Sequence, residues 1–245
     1  MSSSDRVRVG ILGATGYSGI EAVRLLAGHP FVELTVLTSE HYAGREVADV
    51  YRHLAGVDLP PLEELRADLI KGRAEVVLSC LPEKVGTPIT AELVQGGVKV
   101  VDLSADYRLK DLAVYRATYG VEHPAPALVN EAVYGLSEFH RQELRVARLV
   151  ATPGCFPTGS LLALLPLIKR DLIEPSSIVI DAKSGTTGAR HNSISSSRRS
   201  TRISAPTRSA TIGILPKSSR RSGTCSDARC RCCSCRICSR SRAGS

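Results

Sequence analysis

Residues 7–26 restrict what this chain can fold into more than any other stretch. Val7-Arg8-Val9-Gly10-Ile11-Leu12 is a short β-rich run. It passes into Gly13-Ala14-Thr15-Gly16-Tyr17-Ser18-Gly19 and then into a helical pattern over 20–26. A phosphate-cradling loop requires strand, glycine loop and helix in that order. Glycines let the backbone turn tightly and approach a pyrophosphate, which rests on the N-terminus of the following helix. The spacing Gly10, Gly13, Gly16, Gly19 is a variant of the GxGxxG form. A plain βα turn is the competing reading, and the flanks favour the cradle. Gly13, Thr15, Gly16, Tyr17, Ser18 and Gly19 are therefore the expected cofactor-binding residues of this loop.

The alternation continues downstream. Strand-like runs fall at 32–37, 75–80 and 98–103, with a helical stretch over 88–95 between the last two. Strands alternating with helices predict an α/β fold, a Rossmann-type doubly wound parallel sheet, over residues 1–150. Ligands of such sheets bind beyond the carboxyl ends of the strands. That rule brings Pro82, Ser104 and Arg108 to the cleft. The second strand ends at Thr38-Ser39, where an NAD-selective fold usually carries an acid for the ribose. Small hydroxyl residues leave room for a 2′-phosphate, so Thr38 and Ser39 point to NADP. Glu40 opposes that reading, and the next arginine is Arg45. Arg108 could clamp a carboxylate or phosphate bidentately, or it could pair with Asp106 or Asp111 on the surface.

Composition divides the chain. From 190 to 245 there are 13 Lys/Arg and one acid, a net of +12, whereas 1–189 carry 19 Lys/Arg and 23 acids, a net of −4. All ten aromatic residues lie in the first part, and six of the eight cysteines lie in the last 21 residues. The first 189 residues thus read as a mildly acidic globular chain. The Arg/Ser/Cys-rich remainder has no aromatic anchor and is expected to be disordered. Two cysteines in 189 residues suggest a reducing, cytoplasmic compartment. No apolar run reaches membrane-spanning length, so no membrane partner is expected. The cysteines from Cys230 to Cys238 are too crowded for a standard zinc module, and no metal is expected. The basic tail could meet nucleic-acid phosphates without sequence choice, which leaves a nucleotide-binding module with a basic arm as a competing class.

Thr152-Pro153-Gly154-Cys155-Phe156-Pro157-Thr158-Gly159 sets one cysteine on a Pro-Gly turn before an apolar helical run over 160–169. A thiol there meets the unpaired N–H groups and positive dipole end of a helix, which favour the thiolate, the nucleophilic form. The same N–H groups can hold an oxyanion or a phosphate. Cys155 is the candidate catalytic nucleophile. A buried, inert thiol is the alternative.

The blocks GATGYSG, SCLP, VDLSADYRL, VYGLSE, ATPGCFPTG and DAKSG, in this order and spacing, resemble the N-acetyl-γ-glutamyl-phosphate reductases of arginine biosynthesis, over residues 6 to about 189. Aspartate-semialdehyde dehydrogenases share the architecture with less fitting motifs. The related acyl-phosphate reductase of lysine biosynthesis typically lacks the Phe-Pro that follows Cys155. The resemblance implies NADPH-dependent reduction of a small acyl phosphate through a thioester on Cys155. It places Ser184 and Gly185 beside the nicotinamide, gives Ser104, Arg108 and Gly154 to the substrate, and implies a homo-oligomer with no specific nucleic-acid partner. It also makes residues 151–189 the start of an α+β catalytic domain with a strand over 177–182.

The family's acid/base histidine sits in a His-Arg-His-Thr-Pro-Glu-type block, and no histidine follows His191 here. With the last base of each preceding codon joined to the first two of the next, residues 214–221 can spell His-Thr-Pro-Glu-Ile-Glu-Gln-Ala. The tail from 190 to 245 is therefore expected to be out of frame, with the break near Gly188 to His191. A strand over 177–182 would then lack its partners, and the chain as written would be impaired.

Overall fold

The computed structural model describes residues 6–182 together with a short strand at 209–210. The chain divides into two compact units, Met1–Gly154 and Cys155–Ser245.

The first unit follows the strand–helix alternation of its sequence: β1 (Val7–Leu12), α1 (Tyr17–Ala27), β2 (Val32–Thr38), α2 (Val47–Val50), β3 (Leu62–Glu63), α3 (Ala67–Ile70), β4 (Val76–Ser79), α4 (Thr87–Gln95), β5 (Lys99–Asp102), α5 (Leu112–Tyr119), α6 (Pro126–Glu131), β6 (Val133–Tyr134), α7 (Ser137–Val146) and β7 (Leu149–Ala151). The strands form one seven-stranded sheet ordered β3-β2-β1-β4-β5-β7-β6, and every pairing is parallel. From β1 the chain runs outward through β2 and β3, then crosses back to β4 and runs the other way. The order reverses between β1 and β4, the place where such a sheet opens a ligand crevice. The expected α/β doubly wound sheet is present, with two-residue strands at both edges.

Helices cover both faces of a parallel sheet, so its strands read as continuous apolar runs. Side chains alternate faces along a strand, and neighbouring residues of β1 and β2 accordingly enter different cores. Leu12 and Val36 pack with Val77, Leu93, Val100 and Leu149, while Ile11 and Leu37 pack with Ile20, Val23, Leu54 and Leu62. Each such side chain, fully withdrawn from water, contributes about 1.5–3 kcal/mol. Helix α5 has a well-defined start and stop. The Asp111 carboxylate accepts from the N–H groups of Ala113 and Val114, and Gly120 closes the helix at φ +72°.

The second unit begins with α8 (Cys155–Ile168), a helix apolar on every side, with Pro157 in its first turn and Pro166 in its last. The sequence placed the helix at 160–169. The structure starts it at Cys155, because proline in a first turn lacks only an N–H that has no internal acceptor anyway. A 3₁₀ turn over Pro175–Ser177 follows, closed by the Glu174 side chain, and then β8 (Ile180–Asp181). The expected strand over 177–182 is thus shorter. It also has a partner, β9 (Ser209–Ala210), paired antiparallel, which corrects the expectation of an unpaired strand. Among the described residues no helix is long and apolar enough to cross a membrane.

Candidate active site

Four loops meet at the carboxyl ends of the central strands. The first, after β1, turns at Gly13, whose φ of +71° is the left-handed conformation that side chains rarely adopt. The Gly13 carbonyl accepts from Gly16 N–H at 3.0 Å. Gly19 lies inside α1 yet is indispensable to the loop: a Cβ there would stand 2.1 Å from the Gly13 carbonyl oxygen and 2.8 Å from Ala14 Cα. Helix and loop can touch only because Gly19 lacks a side chain. Tyr17, Ser18 and Gly19 supply the first-turn N–H groups, which a helix leaves without internal acceptors. The residues the sequence singled out are thus gathered at one helix N-terminus.

The end of β2 braces this loop. Thr38 accepts from Gly13 N–H through its hydroxyl (3.1 Å) and from Ala14 N–H through its carbonyl (2.8 Å). Ser39 shares a hydroxyl hydrogen bond with Thr15 at 2.8 Å, and the Tyr51 hydroxyl donates to the Thr15 carbonyl at 2.6 Å. Thr38 is 1% exposed and Ser39 3%. Both hydroxyls expected at a 2′-phosphate are instead turned inward onto the glycine loop, because the loop has buried donors and acceptors to satisfy.

After β4, Cys80 lies half-buried with its N–H on the Leu12 carbonyl. Burial pushes its thiol up to about 11, against a hydrogen bond from Ser18 that lowers it, so this cysteine stays protonated. Pro82 is exposed and opens the turn into α4, its carbonyl accepting from Val85 and Gly86. Lys84 in this turn stands at φ +68°.

The loop after β5 holds a buried network that sequence reasoning missed. Asp106, 1% exposed, accepts from Lys84 N–H (2.7 Å), the Thr87 hydroxyl (2.6 Å) and the Tyr115 hydroxyl (3.0 Å). Its backbone carbonyl meets His123 Nε2 at 2.9 Å, while Ala125 N–H donates to His123 Nδ1 at 3.0 Å. A backbone N–H can only donate, so Nδ1 is bare and Nε2 carries the proton. Tyr107 and Tyr115 pack their rings against the same imidazole. Burial pushes the Asp102 carboxyl above its usual range, opposed by hydrogen bonds from Ser104. Ser104 is therefore committed to the turn: its hydroxyl donates to Asp102 at 2.5 Å and accepts from Asp106 N–H at 3.1 Å.

Arg108 corrects one of the two sequence readings, the surface ion pair. It pairs with neither Asp106 nor Asp111, both of which are otherwise occupied. Its guanidinium donates to two backbone carbonyls, Thr152 at 2.7 Å and Leu103 at 2.8 Å. Thr152 N–H also bonds the Asp102 carbonyl at 2.9 Å. Arg108 and β5 thus hold, from both sides of Thr152, the strand exit that leads through Pro153 and half-buried Gly154 to Cys155. Cys155 is an exposed free thiol on the first residue of α8. Ser184, Gly185 and, apart from β9, the basic, cysteine-rich tail lie outside the described residues.

A groove of about 590 Å³ lined by Arg6, Leu26, Val32, Glu33 and Asp58 lies at the amino end of β2. That is the wrong end of a parallel sheet for a nucleotide.

A parallel sheet with a glycine cradle at the point where its strand order reverses defines a dinucleotide-binding domain of the Rossmann type. Residues 8–147 match the semialdehyde dehydrogenase NAD binding domain, and residues 155–205 match the semialdehyde dehydrogenase dimerisation domain. The chain belongs to the semialdehyde dehydrogenase family. It is 50% identical over 187 residues to the N-acetyl-gamma-glutamyl-phosphate reductase of Heliobacterium modesticaldum, covering 76% of this chain and 53% of that one. It is 48% identical over 184 residues to the enzyme of the same name from Dehalococcoides mccartyi, covering 75% and 52%. Among solved structures, aspartate semialdehyde dehydrogenase II from Vibrio cholerae aligns at 19% identity and a TM-score of 0.49, over 67% of this chain and 43% of that one. The chain spans about half the length of the curated relatives it matches.

Proposed function

We propose that this chain carries the cofactor domain and nucleophile of an NADP-dependent N-acetyl-γ-glutamyl-phosphate reductase, which converts a small acyl phosphate to the semialdehyde and phosphate. The observation that carries the reading is the placement of Cys155: an exposed thiol opening a helix, directly after a strand exit fixed by Arg108 and Asp102. The glycine cradle fits a dinucleotide, since any Cβ at Gly19 would occupy the space that brings helix and loop together. Gly13, Thr15, Gly16, Tyr17, Ser18 and Gly19 hold the pyrophosphate, with Pro82 at the cleft.

In this mechanism the Cys155 thiolate attacks the acyl carbonyl. The C–O bond to phosphate breaks, phosphate leaves with its electron pair, and a thioester remains on Sγ. The first-turn N–H groups of α8 hold the oxyanion as it forms. NADPH, held by the glycine loop, would supply a hydride to the thioester carbon; the C–S bond then breaks, and Cys155 leaves as the thiolate to give the aldehyde. Arg108 acts at one remove, by orienting the Thr152 carbonyl and hence the approach of Cys155. In this reading the acid/base is a histidine encoded out of frame in the tail. The compartment is the cytoplasm, and the family assembly is a homo-oligomer.

The test compares the chain as written with one whose reading frame is corrected by resequencing codons 180–245. Phosphate-dependent reduction of NADP with N-acetylglutamate semialdehyde should occur in the corrected chain. It should fall about 10²–10⁴-fold in the chain as written, the usual contribution of a general acid/base. Equal turnover by both chains refutes the out-of-frame histidine. No turnover by either refutes the reductase assignment.

A further inference from the structure

With Thr38 and Ser39 turned inward, the corner beyond β2 needs another group to recognise the adenosine end of a nucleotide. The segment that supplies it is stitched to the edge strand. Gly44 N–H bonds the Leu62 carbonyl at 2.6 Å, Leu62 N–H bonds the Arg45 carbonyl at 2.9 Å, and Arg45 N–H bonds the Tyr42 carbonyl at 3.1 Å. Gly44, at φ +83°, provides the turn. This folding-back lays the Arg45 guanidinium over the Tyr42 ring, 5.8 Å from its centroid. Tyr42 is itself half-buried against the core beneath α1. Tyr51 packs against the same core, and its hydroxyl holds the Thr15 carbonyl. Arg45 therefore stands in the same corner as the loop.

We infer that Arg45, stacked on Tyr42, is the group that selects a 2′-phosphorylated adenine nucleotide. The assignment rests on the reading of the glycine loop as a dinucleotide cradle. Arg45 is exposed and makes no ion pair among the described residues. Stacking through one face leaves the donor edge of a guanidinium open, and that planar fork matches a phosphate bidentately. The ribose of a nucleotide bound at a first βα loop falls beside the end of the second strand, and an arginine near that point accommodates a 2′-phosphate. Glu40, exposed directly after Ser39, repels the same phosphate. Recognition therefore depends on Arg45 more than it would in a site with several cations.

The experiment measures calorimetric binding of 2′,5′-ADP and of 5′-AMP to the full chain and to Arg45→Ala, Arg45→Lys and Tyr42→Leu. Arg45→Ala should weaken 2′,5′-ADP about 10–100-fold, the range of a charge-assisted hydrogen bond, and leave 5′-AMP within about twofold. Arg45→Lys should fall between, because it keeps the charge and loses the fork. Tyr42→Leu should weaken 2′,5′-ADP by a smaller factor through loss of the stack. Unchanged preference for 2′,5′-ADP in Arg45→Ala overturns the assignment and leaves the cradle standing. Failure of the parent chain to bind either nucleotide overturns the cradle, and the assignment with it.

Discussion

Lys84 donates its N–H to the Asp106 carboxylate at 2.7 Å while standing at φ +68°. The left-handed conformation costs a residue with a side chain about 1–2 kcal/mol, and a part-buried, charge-assisted hydrogen bond is strong enough to hold it. The loop after β5 thereby fixes the shape of the loop after β4. The cleft wall that includes Pro82 is set from a different strand than the one that bears it.

Asp106→Asn should consequently destabilise the first unit by about 2–3 kcal/mol. An amide can present an oxygen to only some of the three donors now met by the carboxylate, and a mismatched buried group costs about 1–3 kcal/mol. Tyr115→Phe removes one donor and should cost about 1 kcal/mol. Urea titrations followed by circular dichroism give both values. Asp106→Asn within about 0.5 kcal/mol of the parent, the size of an ordinary surface substitution, would contradict the network.

His123 makes stability depend on pH. Burial, the dominant cause, holds its imidazole below the usual range despite the hydrogen bond to the Asp106 carbonyl. The unfolded chain therefore takes up a proton near pH 6.5, before the folded chain does. The contribution is complete above about pH 6.5 and is lost as the pH falls toward the depressed folded value. Protonation at Nδ1 would also eject the Ala125 N–H. In guanidinium titrations from pH 8 to 5, His123→Gln should start less stable and decline less steeply than the parent. Parallel slopes would show that His123 does not report on folding.

Gly19→Ala should disable nucleotide binding. The new methyl would overlap the Gly13 carbonyl oxygen, which is backbone and cannot swing aside. Overpacking of this kind costs about 1–3 kcal/mol, and here the loop must open to relieve it. NADPH fluorescence titration should show affinity reduced at least about tenfold, with the far-ultraviolet spectrum little changed. Unaltered affinity would mean that the nucleotide does not touch this loop.

The two described cysteines should differ in chemistry. Iodoacetamide at pH 7 with peptide mapping should modify Cys155 readily. Cys80, with its thiol near 11 and half-buried, should lag an ordinary thiol on the order of a hundredfold. Cys155→Ala should abolish acyl-phosphate reduction in the frame-corrected enzyme while leaving NADPH affinity intact. Comparable labelling of both thiols would place Cys80 in a more open environment than its burial allows.

Much of the first unit was legible in the residues. β1, β2, β4 and β5 are apolar runs buried on both faces, and the glycines between β1 and α1 announce the cradle. β3 and β6 were not legible, because a two-residue strand carries no period. The surface ion pair weighed for Arg108 does not form, for a physical reason. Asp106 and Asp111 are its nearest acids in sequence, but one is consumed by Lys84, Thr87 and Tyr115 and the other caps α5. The Asp106–Tyr115–His123 network has no local signature, since its members come from different loops and a helix. The start of α8 was missed because Pro157 and Gly159 look like turn residues, although the first helical turn has no internal acceptor for a proline N–H to miss.

The brace from Thr38 to Gly13 also orders events in time. It joins residues 25 positions apart, and the bond from Ser39 to Thr15 joins residues 24 apart. Closing a loop of that length costs about 3 kcal/mol of chain entropy beyond a constant, which the glycine segment by itself cannot recover. The cradle therefore takes shape only after β2 has docked beside β1. On the ribosome, a nascent chain stopped before residue 38 would display every glycine of the motif and still hold no nucleotide.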